Sequence, residues 1–140
     1  MTMPQSNPQT LNIFTLAQRG MSAQMVRMNA AASNLANAGS VAGSEAEAYR
    51  PLRPTFEAEL DRASGLTGVR VTSVSPSDIA PIRRHDPGHP LADANGDVWE
   101  APVDETGEMV EIMESARQYQ NLVEALQTAK QLMLETMRSK

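Results

Sequence analysis

Cysteine is missing from the chain altogether, which excludes disulfides and thiolate chemistry and leaves the redox compartment open. Large aromatic anchors are scarce: two Phe, two Tyr and one Trp among 140 residues. With much of the apolar content in Ala and Met, any core is narrow, suited to close helix contacts and adaptable interfaces. No run of eighteen apolar residues occurs, nor a basic, apolar and small-residue start, so neither a membrane span nor a general secretory signal is read. Any route out of the cytoplasm would have to be a specialised one. Acids are missing from residues 1–44, whose only charges are Arg19 and Arg27, whereas residues 104–140 hold seven acids and four bases. The two ends are complementary in sign, which favours their association weakly if the charges are exposed. A net charge of −5 without a Lys/Arg-rich stripe argues against nucleic acid as a partner.

What the chain does have is helical surface. From about Asp104 to Arg138, Met109, Ile112, Ala116, Tyr119, Val123, Leu126, Met133 and Met137 recur at steps of three and four, and Lys130 alone breaks the seam. Acids crowd the start of this segment and Lys130, Arg138 and Lys140 fall toward its end, matching the helix dipole. Such a helix runs roughly 50 Å. A compact chain of this length has a radius of gyration of about 14 Å, so the helix should project beyond it.

A second stripe, Phe14, Ala17, Met21, Met25, Met28, Ala32 and Leu35, predicts a helix over about Leu11–Ala36, stopped by Asn37, Ala38 and Gly39. It supplies roughly 39 Å, too little to cover the last helix, so the surplus apolar surface points to neighbouring subunits. Periodicity leaves open whether the pair is parallel or antiparallel.

Residues 1–10, polar with two prolines, are read as disordered. Between the helices, residues 49–56 read as extended chain pinned by Pro51 and Pro54, residues 56–60 as a strand or short helix, and residues 69–74 as a strand. Ile79–Arg84 reads as a further extended piece, and Asn95-Gly96 before Val98-Trp99 as a hairpin turn. The fold class expected is mostly α, with long N- and C-terminal helices forming a coiled-coil layer around a small extended or β segment. Its divisions are a disordered 1–10, a helix over 11–38, an extended and β-hairpin insert over 39–103, and a helix over 104–140.

Catalytic and metal chemistry find little support. His85 and His89 have metal-ligand spacing only on a helix, which Pro87, Gly88 and Pro90 forbid. Asp93, Asn95 and Asp97 imitate a calcium loop until Val98 stands where Gly is needed and Asp104 where a bidentate Glu is expected. Both sets are read as turn chemistry. Glu108, Glu111 and Glu114 read as a solvated face with dipole partners, and Gly65-Leu66-Thr67-Gly68 lacks the Lys and helix start of a phosphate loop. No enzyme, no metal and no cofactor are expected.

Particular residues then add what patterns cannot. Ala32-Ser33-Asn34-Leu35-Ala36-Asn37-Ala38 resembles the signature of the bacterial flagellar rod, hook and hook-associated axial proteins. Within that group Tyr49-Arg50, the loop Asp86–Asp93 with Gly96 and Val98, and the runs Glu108-Met109-Val110 and Ser115–Asn121 are similar to the small proximal rod proteins. The resemblance implies a structural subunit of the basal-body rod that packs helically with copies of itself and other rod proteins and transmits torque. It further implies export through the flagellar type III apparatus without a cleaved signal. Carried over residue by residue, it puts the subunit interface at Ser33, Asn34, Leu35 and Asn37 on the first helix and at Met109, Met113, Arg117, Tyr119 and Asn121 on the last; the seam adds Leu126. A coiled-coil adaptor or export chaperone binding one partner is the competing reading, distinguished by a closed complex of fixed size.

Overall fold

The computed structural model describes residues 8–62 and 64–139. Helix α1 (Pro8–Ala36, 29 residues) opens on a proline, whose fixed φ suits the first helical position. It closes where Asn37 donates to the Ser33 carbonyl twice, through Nδ2 at 2.9 Å and through its backbone N–H at 3.1 Å, before Gly39 turns the chain at φ +79°. The expected disorder over residues 1–7 lies outside the described residues, and residues 8–10 belong to α1.

Four strands follow the short β1 (Val41–Ala42): β2 (Leu52–Asp61), β3 (Leu66–Pro76), β4 (Ile82–His85) and β5 (Asp97–Glu100). β2 and β3 form an antiparallel hairpin from Leu52↔Pro76 to Asp61↔Leu66, with a bulge between Thr55 and Phe56. Its turn closes through Gly65 at φ +73°, whose N–H donates to Asp61 O at 2.8 Å. β1, β5 and β4 make a separate antiparallel sheet in that order, β5 in the middle. The loop between β4 and β5 is closed by Asp93, whose Oδ1 accepts the N–H groups of Asn95 and Asp97 at 2.9 Å each.

Helix α2 (Glu105–Arg138, 34 residues) runs about 51 Å against about 44 Å for α1. Asp104 at its N-cap is extended and makes no side-chain capping bond. The helices pack antiparallel: Arg27 reaches Glu111, while a Cβ on Gly20 would stand 3.1 Å from Leu122 Cδ1. The packed stripe of α2 includes Glu108, Glu111, Ile112, Ser115, Tyr119, Leu122 and Leu126. That phase differs from the apolar seam, because Met109 and Ala116 face solvent while two carboxylates and a serine face inward. The Ser115 hydroxyl is satisfied within its own helix by Glu111 O at 2.6 Å, so it packs against a neighbour without an orphaned donor.

The expectation of a mostly α chain with a coiled-coil layer is overturned. The described residues hold two helices and five strands, the strands in two antiparallel sheets, a mixed α/β architecture. The hairpin, as well as α2, packs against α1. Buried Gly68 on β3 lets Leu16 sit on the strand, where an added Cβ would come within 2.5 Å of Leu16 Cδ2.

Candidate assembly surface

The buried residues are small. Ala23, Ala30, Ala31, Ala48, Ala101 and Val98 form the apolar core, and the largest wholly buried side chains are Val98, Asn34, Pro51 and Ser115. Close helix and strand approach through alanine therefore replaces large interlocking side chains.

Asn34 acts as a lock between α1 and the hairpin. Its Nδ2 donates to Leu52 O at 3.1 Å and its Oδ1 accepts Leu52 N–H at 2.7 Å, pairing a side-chain amide with strand backbone. The Tyr49 hydroxyl also donates to Oδ1 at 2.7 Å and lies 2.9 Å from Ser33 Oγ. Ser33, Asn34 and Asn37 are thus brought together, with Tyr49, at the end of α1. Asn34 is wholly buried and Ser33, Leu35 and Asn37 are half-buried.

A polar junction lies where α1, β2 and α2 meet. Arg27 Nε donates to Glu111 Oε1 at 2.7 Å and its Nη1 to Gln24 Oε1 at 2.8 Å. Arg53 Nη1 meets Glu108 Oε1 at 2.8 Å, although Glu108 is only 2% exposed. These four charges were not singled out as site residues. For the Arg27–Glu111 pair the signal was the sign asymmetry, an acid-free first helix against an acid-rich last one; Arg53, on β2, carried no such signal.

In the β4–β5 sheet, buried Asp97 accepts from Arg83 and sits 3.0 Å from His85 Nδ1. The His85 hydrogen bond, followed by the Arg83 guanidinium, holds the Asp97 carboxyl below its ordinary value, against desolvation that raises it. His89 Nδ1 accepts Leu91 N–H at 3.0 Å, so both histidines serve the turn. Among the described residues no group of three His, Cys, Asp or Glu is placed to hold a metal, and no helix is long and apolar enough to cross a membrane.

The remaining residues expected at an interface fall on α2. Met109, Met113, Arg117 and Asn121 point outward, Met113 with 71% exposure; Arg117 pairs with Glu114 of its own helix at 2.8 Å. The Gln118 hydrogen bond, then Arg117, lowers the Glu114 carboxyl. Tyr119 and Leu126 are half-buried, Tyr119 lining a groove with Met21 and Met25. Val110, Leu132, Leu134 and Met137, not among the residues expected at the interface, are exposed as well. Large apolar side chains therefore stand bare along α2 among the described residues.

Residues 95–139 match a family model described as the flagellar basal body rod FlgEFG protein C-terminal region. The flagellar basal-body rod protein FlgC of Salmonella typhimurium is 44% identical over 127 residues, covering 91% of this chain and 95% of that protein. FlgC of Escherichia coli O6:H1 is 43% identical with the same coverage, and FlgC of Agrobacterium fabrum 31% identical over 86% of this chain and 88% of its own. The chain belongs to the FlgC family of flagellar basal-body rod proteins, and is a structural subunit of the bacterial flagellar basal body, not an enzyme.

Proposed function

We propose that the subunit self-assembles axially with copies of itself and other rod proteins in the proximal, periplasmic part of the rod, and transmits torque there. Supporting this is the outward apolar face of α2, Met109, Val110 and Met113 at one end and Leu132, Leu134 and Met137 at the other, all at least 42% exposed. Burial of such side chains drives association at roughly 25 cal/mol per Å² of apolar surface. Met109, Met113, Arg117 and Asn121 lie in the contact, Tyr119 and Leu126 beneath it. Ser33, Asn34, Leu35 and Asn37 serve it at the end of α1, Asn34 by tying the hairpin to the helix, Ser33 by meeting Tyr49 and Asn37 by closing the helix. Torque passes through this frame because α1 is tied to β2 by Asn34 and to α2 by Arg27. The chain reaches the rod through the flagellar type III export apparatus without a cleaved signal; the lack of cysteine suits such a passage.

The test is Met113→Asp. An exposed substitution alters folding stability by no more than about 0.5 kcal/mol, so a fold defect is not expected. The variant should be absent from purified basal bodies and leave cells non-motile, while its circular dichroism and thermal unfolding match the parent. Normal incorporation and swimming would remove this face from the account.

A further inference from the structure

Where α1, β2 and the first turns of α2 meet, the chain surrounds a cavity of about 360 Å³, far more than the ~10–15 Å³ that one water needs. Its wall carries Arg27, Arg53, Asp104, Glu108 and Glu111. Both arginines already have carboxylate partners, Arg27 in Glu111 and Arg53 in Glu108 Oε1. Glu108 Oε2 is left buried with no hydrogen-bond partner, on a side chain 3% exposed. The Asp104 carboxylate, on the same wall, makes no capping bond. A buried carboxylate oxygen without a donor is costly, and the wall has one more acid than base, so the group that fits is a cation bearing N–H donors.

We propose that this cavity is a socket for Arg138 of a second copy of the chain, a contact that rests on the assembly reading above. The chain itself argues for the occupant. Residues 104–114 around the socket hold five acids and no base, whereas residues 130–140 hold three bases and one acid. Arg138 lies exposed in the last turn of α2, beside exposed Leu134 and Met137, while Met109 and Val110 are exposed beside Glu108. The two ends of one molecule therefore match in both charge and apolar surface. A guanidinium supplies a planar fork of donors that a carboxylate accepts at two points. Joining one end of a copy to the other end of the next is a heterologous contact, which builds an open stack wherever its rotation does not close a ring.

Charge reversal tests this with the purified full chain. Sedimentation velocity over a concentration series should show open-ended association of the parent. Arg138→Glu alone and Asp104→Arg alone should each weaken it by at least about tenfold, and the double variant should restore it to within about threefold. Glu108→Gln, which keeps the shape, should also weaken it, with thermal unfolding unchanged in the exposed-site variants. A parent that stays monomeric, single reversals without effect, or a double variant no better than the singles would overturn the socket, leaving the cavity to water or small cations. Should the reversals be silent while Met113→Asp still blocks incorporation into basal bodies, the socket alone has failed; if Met113→Asp is silent too, the assembly reading has failed with it.

Discussion

Asn34 shows how one side chain can decide an architecture. It occupies both backbone groups of Leu52 and the Tyr49 hydroxyl, with no water-exposed atom to compensate if it is removed. Asn34→Ala strands a buried N–H and C=O and should cost about 2–3 kcal/mol in urea unfolding; a loss under about 0.5 kcal/mol would mean the lock is dispensable. Asp97 supplies the pH dependence. Its carboxyl is lowered, so its contribution is complete above the ordinary value near 3.8 and is lost as pH falls through the lower folded value. Asp97→Asn should be less stable than the parent at pH 7, and the gap should close below about pH 4. A gap independent of pH would show that the His85 and Arg83 contacts do not depend on the charge. At this scale the sequence was legible in part. Asn37 and Gly39 announce the end of α1 through local chemistry, whereas the burial of Asn34 depends on Leu52, eighteen residues away, and no local pattern carries it.

Between elements, the helices were legible and the strands in part: residues 69–74, read as a strand, lie in β3, and the extended piece over 79–84 reaches into β4. Helix ends are written in short-range signals: Pro8, Asn37 with Gly39, and the acids Glu105 and Glu108 in the first turn of α2. The far half of β2 stayed ambiguous between strand and short helix because residues 57–60 are all exposed and carry no alternation, and Pro54 interrupts the strand before them. The two-residue β1 has no pattern at all and exists only through β5. The phase of the α2 seam was misread for a related reason. Periodicity finds apolar stripes, and on this helix a good part of the stripe faces outward while Glu108, Glu111 and Ser115 face α1. The hairpin rests on α1 through Gly68, where no side chain fits. Gly68→Val should therefore cost about 1–3 kcal/mol by overpacking Leu16, measured by thermal or urea unfolding. Combining it with Leu16→Ala should recover part of that loss; no recovery would place the strain elsewhere.

For the whole molecule, composition and architecture point the same way. Few aromatics and many alanines make a thin core, and the thin core leaves methionine, leucine and valine on an extended surface. A rod subunit has use for that surface, since neighbours in a helical assembly can supply what its own interior does not. The family carried the functional reading; the structure supplies the physical reason for it, with a mixed α/β body where a helical layer alone was expected. Met113 gives the most direct check on that reason, because the chain has no native cysteine and Met113→Cys is the sole thiol. Maleimide should label it rapidly in the free subunit and only slowly in intact purified basal bodies. Equal labelling rates in the two would show that the α2 face stays open to solvent in the rod, and would contradict the account.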